Sequence, residues 1–207
     1  MTKSSPRGRP VDPVKQQQQK EKLLDAAQAL LAIKPYREVT IRDLADHASL
    51  NSAMVRYYFV NKEGLFLALL DQMSKRHFVD MKQISSQQEP IKKFIQFMLK
   101  MLTQNNSLAR LIHDEFASDH SKLGEAFIER FPKRMAKILP QLIKANTPIT
   151  DNIKAKYAAF SLISMIIMPF VGRSVREQAW EIDDQELASS EWAEHIYSMF
   201  VDGCGSC

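Results

Sequence analysis

The chain has 207 residues, of which 45% are hydrophobic, a composition typical of a folded globular protein and not of a disordered one. Its net charge of +4 is unevenly placed, because residues 1–62 hold 11 Lys and Arg against 6 Asp and Glu, whereas the remainder holds 17 against 18. The positive excess in the first third predicts a polyanionic partner there, and either nucleic acid or a membrane surface satisfies that charge.

No apolar stretch follows the basic N-terminal residues, which argues against a secretory leader. The most apolar run, Tyr157 to Val171, is too short for a membrane span and contains two serines and Pro169. We therefore expect a cytoplasmic protein with no membrane partner.

Residues 1–19 are polar, carry three prolines and end in a glutamine tract, so they predict a flexible basic arm. From Lys20 onwards, apolar residues recur at the three- and four-residue spacing of a helix. Pro35 ends this helix, because proline disfavours helical geometry in the residue before it.

Three helix starts follow at short intervals. Thr40, Asn51 and Asn61 are each suited to cap a helix N-terminus and are each flanked by apolar residues that can form a hydrophobic staple. The spacing leaves room only for short helices joined by tight turns, which is the layout of a helix-turn-helix.

The middle helix of this group divides into two sides. Four residues, Met54, Val55, Tyr58 and Phe59, fall on one half of the helical wheel, and Ser52, Ala53, Arg56 and Tyr57 fall on the other. Small residues allow close approach to a major groove, and an arginine there can donate two hydrogen bonds to guanine or bind a phosphate. A short amphipathic helix with a solvated polar face is the alternative, and the charge asymmetry favours DNA binding.

The residues that carry this layout also resemble a known family. The sequence is similar to the DNA-binding domain of TetR-family transcriptional regulators over roughly residues 20–70. The matching stretches are Leu23-Leu24-Asp25-Ala26-Ala27, Val39-Thr40-Ile41-Arg42-Asp43-Leu44-Ala45 and Asn51-Ser52-Ala53-Met54-Val55-Arg56-Tyr57-Tyr58-Phe59-Val60-Asn61-Lys62-Glu63-Gly64-Leu65.

The resemblance implies DNA-binding roles for particular residues. Thr40 and Arg42 should touch the phosphate backbone, and Lys62 should clamp a phosphate. The chain departs from the family at Ser49, where glycine is frequent in the turn, and again within the reading helix. The implied reading surface consists of Asn51, Ser52, Ala53, Arg56 and Tyr57.

The basic arm offers a second DNA contact. Arg7 and Arg9 flank a glycine, and such a segment can enter the minor groove of AT-rich DNA, where negative potential attracts guanidinium groups. A basic tail that adds only nonspecific attraction is the alternative, and the sequence leaves both open.

After Lys62 the pattern is helical almost throughout, without persistent strand alternation. We therefore expect an all-α protein. The predicted division is a flexible basic arm at 1–19, a three-helix helix-turn-helix domain at 20–66, a larger helical effector-binding and dimerisation domain at 67–202, and a flexible tail at 203–207.

The resemblance implies that the larger domain encloses a small apolar or amphipathic effector. Adaptable apolar side chains suit such a pocket, although most of them can equally be ordinary core residues. No cofactor is expected, and His113 and His120 do not have a recognised metal-ligand spacing. The candidate ligand-binding residues are Phe94, Met98, Met101, Leu111, His113, Phe116, Phe131, Met135, Phe160 and Met165.

The family also implies a homodimer formed by the two long C-terminal helices. Two-fold symmetry then predicts a palindromic operator in double-stranded DNA. The C-x-x-C of Cys204 and Cys207 leaves a redox or zinc role open against the simpler interpretation of a reduced tail. The candidate interface residues are Tyr157, Phe160, Ser161, Ser164, Trp192, Ile196, Tyr197 and Phe200.

Together these features predict a sequence-specific transcriptional repressor that an effector releases from its operator. A DNA-bound interaction protein of the same fold without a small-molecule ligand, acting in nucleoid or division control, is the alternative. An enzyme is not expected, because the sequence has no phosphate-cradling loop, nucleophile elbow or catalytic Cys/His pair.

Overall fold

The computed structural model describes residues 12–104, 107, 110 and 122–205. Within these residues the chain is helical and contains no strand, which confirms the all-α prediction. Two of the predicted DNA-binding residues, Arg7 and Arg9, lie outside the described residues. The same holds for three predicted ligand-binding residues, Leu111, His113 and Phe116, and for Cys207.

The first helix, α1 (Pro13–Ile33), begins earlier than the predicted start at Lys20. The side chain of Asp12 accepts hydrogen bonds from the backbone N–H groups of Val14 and Lys15, and Pro13 occupies the first turn, where it has no donor to lose. This corrects the predicted boundary of the flexible arm, because residues 13–19 belong to α1. The helix ends before Lys34-Pro35, as predicted.

A 3₁₀ turn (Tyr36–Glu38) leads to the short helices α2 (Ile41–Ala48) and α3 (Ala53–Phe59) and to the long α4 (Lys62–Ile84). The predicted cap of α2 is confirmed, since Thr40 and Asp43 form a capping box. The predicted cap of α4 is also confirmed, since Asn61 accepts from the N–H of Gly64 at 2.8 Å. Asn51 lies one residue before the N-cap position of α3, which is Ser52. Its side chain accepts from the N–H of Ala53, the first α-helical residue, at 2.8 Å.

The larger part of the chain consists of long helices joined by tight connections. The prolines at positions 132 and 140 each predict a break in a helix. Phe131 does separate two helices, but Pro140 lies inside a continuous helix, next to the buried Leu139. Two short helices follow Gly172 before the last long helix begins. The elements are α5 (Pro90–Gln104), α6 (Lys122–Arg130), α7 (Pro132–Asn146), α8 (Asn152–Val171), α9 (Arg173–Ala179), α10 (Asp184–Leu187) and α11 (Ser190–Gly205).

The predicted flexible tail at 203–207 is wrong for its described part, because α11 continues to Gly205. Ile196, Phe200 and Cys204 recur every four residues on one side of α11, and all three are buried. This stripe holds the end of the chain against the core.

One continuous core runs from Leu23 in α1 to Cys204 in α11. The predicted domain boundary at residue 66 falls inside α4, which packs against α1 and α3 at one end and against α5 and α6 further along. The α6–α7 junction holds the middle of α4: Arg130 pairs with Asp71 at 2.5 Å, and the hydroxyl of Ser74 donates to the carbonyl of Arg130 at 2.9 Å. Helix α4 is therefore the rigid connection between the N-terminal helices and the body.

Candidate nucleic-acid interface

Helix α3 has the two sides that the sequence predicted. Val55 is fully buried, and Met54, Tyr58 and Phe59 are half-buried against the core. The outward side is exposed and consists of Asn51, Ser52, Ala53, Arg56 and Tyr57. The structure therefore leaves every predicted residue of the reading surface exposed, on α3 or on the two residues that precede it.

The start of α2 lies beside this surface and is fixed by its own capping box. Thr40 accepts from the N–H of Asp43 at 3.1 Å, and the carboxylate of Asp43 accepts from the N–H of Thr40 and from the ammonium group of Lys34, both at 2.7 Å. The bond from Lys34 is the largest cause that holds the pKa of Asp43 far below its usual range. Arg42 is exposed, with only a loose 3.6 Å pairing to Asp46, so its guanidinium group can reach an external anion.

The turn between α2 and α3 contains the strained residue that its sequence suggested. Ser49 has φ 53° and ψ 43°, the left-handed conformation that glycine adopts without penalty. Its N–H donates to the carbonyl of Asp46 at 3.1 Å, and the N–H of Leu50 donates to that of Ala45 at 2.9 Å. These bonds close α2 and fix the direction in which the chain leaves for α3.

Lys62 makes contacts inside the domain. Its ammonium group donates to the carbonyls of Tyr36 and Val39 at 3.1 and 2.8 Å and lies 4.3 Å from the centre of the Tyr36 ring. Desolvation, with a smaller effect from the charge of Lys34, lowers its pKa. An ammonium group has three donors and two are used here, so the predicted phosphate contact of Lys62 stays a prediction.

Helix α1 contributes polar contacts to α3 that the sequence analysis missed. The amide nitrogen of Gln16 donates to the hydroxyl of Tyr57 at 3.0 Å, and the hydroxyl of Tyr58 donates to the amide oxygen of Gln19 at 2.7 Å. Lys20 lies 5.7 Å from the centre of the Tyr58 ring. The available signal was spacing, because Gln16, Gln19 and Lys20 share a helix side with the buried Leu23.

The junction between α3 and α4 requires Gly64, another residue that the sequence analysis passed over. A Cβ atom at this position would lie 2.2 Å from the carbonyl oxygen of Phe59. Between them Val60 has φ 69°, and the N–H of Asn61 donates to the carbonyl of Phe59 at 2.8 Å, which closes a tight γ-turn. The absence of a side chain at Gly64 thus lets α4 start directly beneath the end of α3.

Several predicted ligand-binding residues gather in the body. Phe94, Met98, Phe131 and Met135 are buried, whereas Met101 and Met165 are half-buried. Phe160 is 75% exposed, which corrects its assignment to a pocket: the buried side of α8 is formed by Ala155, Ala159, Leu162 and Ile166, and Phe160 lies on the opposite side.

His77, a buried polar residue of α4 in this apolar region, was not among the predicted site residues. Its ring packs on Phe78, Phe97 and Phe131, with centres 4.8, 5.3 and 5.9 Å away, and its Nδ1 lies 3.1 Å from the sulfur of Met101. Desolvation, helped by the charge of Arg134, lowers the pKa of His77 to about 4. The imidazole is therefore neutral at neutral pH and can act as a hydrogen-bond acceptor or donor in an apolar environment.

The predicted interface residues divide into two groups. Tyr157 is 69% exposed, Ser161 is exposed, and Ser164, Trp192 and Tyr197 are half-buried. Ile196 and Phe200 are buried in the protomer's own core, which corrects their assignment to a dimer interface. Helix α8 is also the one described helix long and apolar enough to cross a bilayer by length and composition, yet only 22% of its apolar window is buried.

The described residues contain no group of three or more His, Cys, Asp and Glu side chains placed to hold a metal ion. Cys204 is a buried thiol, and Cys207 lies outside the described residues, so the structure does not test a pairing between them.

Comparison with known proteins agrees with the geometry of the N-terminal helices. The family described as bacterial regulatory proteins, tetR family, matches residues 23–69. A curated relative from Bacillus subtilis (strain 168), the uncharacterized HTH-type transcriptional regulator YvkB, is 43% identical over 54 residues. That match covers 26% of this chain and 29% of the relative, less than a third of its length. The family match therefore lies on the N-terminal helices, including the short α3 with its exposed side.

Solved structures extend the likeness to nearly the whole chain. The fatty acid degradation regulator FadR from Bacillus halodurans has a TM-score of 0.73 at 15% identity, covering 94% of this chain and 98% of that one. The transcriptional regulator FadR from Bacillus subtilis, in complex with stearoyl-CoA, has a TM-score of 0.71 at 17% identity, with coverages of 88% and 98%. AibR, in complex with isovaleryl coenzyme A and operator DNA, has a TM-score of 0.67 at 14% identity, again covering 88% and 98%. At these identities the likeness establishes a shared fold.

We predict that Gly64→Ala destabilises the protein by about 1–3 kcal/mol, because an added methyl group forces the end of α3 away from α4. Urea unfolding followed by circular dichroism measures the change. Gly203→Ala is the matched control, since a Cβ there meets no atom within 4 Å and alanine favours the helix. Equal stability of Gly64→Ala and the unaltered protein would show that the α3–α4 approach is not as close as described.

Proposed function

We propose that this protein is a sequence-specific DNA-binding transcriptional regulator, a cytoplasmic repressor that leaves its operator when a small apolar or amphipathic effector binds. One observation carries the proposal: the exposed side of α3, with Arg56 and Tyr57 at its centre, lies on a frame whose residues 23–69 match the tetR family. The positive excess in residues 1–62 suits the phosphate backbone.

The outward residues divide by chemistry. Arg56 is the residue best able to read a base, since a guanidinium group can donate two parallel hydrogen bonds to O6 and N7 of guanine. Ala53 lets the helix approach the groove closely. Thr40 and Arg42, one helix earlier, suit phosphate contacts that fix the register of the domain on the duplex.

We predict that Arg56→Ala weakens binding to the selected operator by about 1–3 kcal/mol and relaxes the sequence preference at one base pair per half-site. Genomic fragments captured by the unaltered protein supply the operator, and fluorescence anisotropy at fixed salt measures the affinity. Arg76→Ala removes the same exposed side chain from α4, outside the interface, and should leave both quantities unchanged. Unchanged affinity and preference in Arg56→Ala would remove the basis for assigning recognition to α3.

We also propose a homodimer built on the exposed apolar side of α8. Ile153, Tyr157, Phe160 and Met168 follow one another at helical spacing and are each more than half exposed, and Met199 of α11 is likewise exposed. A contiguous apolar surface of this kind is unfavourable in water and marks an interaction site. Burial of each such side chain against a partner contributes roughly 1.5–3 kcal/mol. A two-fold pairing through this surface suits a palindromic operator, with the two reading helices about 34–36 Å apart.

We predict that Phe160→Glu converts the dimer to monomer, because a charged group cannot be buried unpaired at the centre of the contact. Sedimentation velocity at micromolar protein measures the association state. Val79→Glu places the same charge at an exposed apolar position of α4 and should leave the protein dimeric. If the Phe160→Glu protein has the same sedimentation coefficient as the unaltered dimer, the interface lies elsewhere.

The effector is proposed to enter the region around His77, between α4, α5 and the α6–α7 junction. Flexible methionines and aromatic rings suit an acyl chain, and a neutral buried imidazole offers a polar group that can orient a ligand. The structures of FadR from Bacillus subtilis and of AibR, which share this fold, are in complex with stearoyl-CoA and isovaleryl coenzyme A, respectively. Acyl-CoA is therefore the class that we propose for this chain. Binding near the Phe131 junction would act on α4, and through α4 on the position of α3.

We predict that a long-chain or a short-chain acyl-CoA weakens operator binding by roughly 5- to 150-fold, the range typical of coupled sites. Stearoyl-CoA and isovaleryl-CoA are titrated into the preformed protein–operator complex, and coenzyme A without an acyl group is the control. If neither acyl compound displaces the DNA, the acyl-CoA assignment is wrong, and the DNA-bound interaction protein without a small-molecule ligand is favoured.

A further inference from the structure

Tyr57 and Tyr58 of α3 are adjacent in sequence but use their hydroxyl groups in opposite ways. Tyr58 donates its proton to Gln19, whereas Tyr57 accepts a hydrogen bond from Gln16. Among the described residues no acceptor is paired with the proton of Tyr57. The proton of Tyr58 is therefore used inside the protein, and that of Tyr57 remains for a ligand.

We propose that Gln16 is a positioning residue for DNA recognition, which fixes the hydroxyl of Tyr57 so that its proton points out of the protein. The proposal rests on the proposed DNA-binding function and deepens it. Tyr57 then acts on DNA as a hydrogen-bond donor. Its partners are acceptors: a phosphate oxygen, or N7 and O6 of guanine, N7 of adenine or O4 of thymine in the major groove.

The frame that holds Gln16 is rigid enough for this task. Gln16 lies in the first turns of α1, which begin at the cap of Asp12 and the proline that follows it. Gln16 is half-buried, whereas Tyr57 is 63% exposed and its ring meets the edge of Tyr58 at a centre distance of 4.9 Å. The ring and the hydroxyl of an exposed side chain are thus both fixed before DNA arrives.

Fixing the side chain beforehand increases affinity, because less conformational freedom is lost on binding. It also adds selectivity. When Gln16 uses the Tyr57 oxygen as an acceptor, the outward partner of Tyr57 has to be an acceptor as well. Base edges that present amino groups, N4 of cytosine and N6 of adenine, are disfavoured opposite Tyr57.

The test uses Gln16→Met, which keeps the length and helix propensity of the side chain but removes its donor. Gln18→Met is the matched control, since Gln18 is exposed on the other side of the same turn. The probe is the DNA fragment that the unaltered protein selects from genomic fragments, with affinity measured by fluorescence anisotropy at fixed salt. We expect about three- to tenfold weaker binding for Gln16→Met, comparable to the net effect of one neutral hydrogen bond, and no change for Gln18→Met.

A double-mutant cycle separates positioning from a general effect on the helix. In a Tyr57→Phe background, which has no hydroxyl to orient, Gln16→Met should cause no further loss. An equal loss from Gln16→Met with and without the Tyr57 hydroxyl would overturn the proposal, as would unchanged affinity in the single variant. Melting temperatures of the four proteins check that folding is preserved.

A second pair of variants keeps the test decisive if Gln16→Met unfolds. The carboxylate of Gln16→Glu has only acceptors at neutral pH, so the hydroxyl of Tyr57 donates to it and the direction of the hydrogen bond is reversed. Gln18→Glu adds the same charge on the other side. We expect Gln16→Glu to bind more weakly than Gln18→Glu at every salt concentration, and equal binding would overturn the proposal.

The two sources of the acceptor give different results. If Tyr57 donates to a phosphate, Gln16→Met weakens binding equally to all variants of the fragment. If it donates to a base, the variant loses its preference at one base pair in each half-site. If the unaltered protein selects no fragment at all, the proposed function itself fails, and that result is distinct from either outcome for Gln16.

Discussion

The structure depends on tertiary contacts that keep the short helix α3 folded and oriented. An isolated helix of seven residues is not stable in water, because nucleation costs more than its few hydrogen bonds return. Helix α3 has that length, and Val55 is its one fully buried side chain. Its orientation must therefore come from tertiary contacts, and these decide which residues face the solvent.

Those contacts come from both ends of the N-terminal domain. Gln16 and Gln19 of α1 hold the two tyrosines, and Gly64 lets the carbonyl of Phe59 pack against the first turn of α4. Lys62 ties that same turn to the backbone that precedes α2. Helix α4 continues to the α6–α7 junction, where Arg130 forms an ion pair with Asp71. A change in side-chain packing around His77 can therefore shift α4, and α4 packs against α3. This connection makes a ligand-controlled reading helix physically reasonable for this chain.

The sequence was informative where the determining interactions are local. Thr40 and Asn61 were identifiable as caps because their partners lie three residues away, and the two sides of α3 follow from helical periodicity. The bond between Gln16 and Tyr57 spans 41 positions, so no pattern near either residue reveals it. The glutamine tract was predicted to belong to a flexible arm, because the partners of Gln16 and Gln19 are distant in sequence and no local pattern identifies them. The same limit applies to the larger part of the chain. Periodicity groups Ile196, Phe200 and Phe160 with other apolar residues on their helices, but it does not show whether each one faces the core, a cavity or a partner.

The proposed DNA-binding function places the outward side of α3 in the major groove of the operator. Methylation interference tests this directly, because dimethyl sulfate modifies guanine at N7 in the major groove and adenine at N3 in the minor groove. The selected operator is methylated sparsely, bound, and separated into bound and free DNA. Binding of α3 in the major groove predicts interference at guanine N7 in two clusters about one helical turn apart. Interference confined to adenine N3, with none at guanine N7, would contradict it.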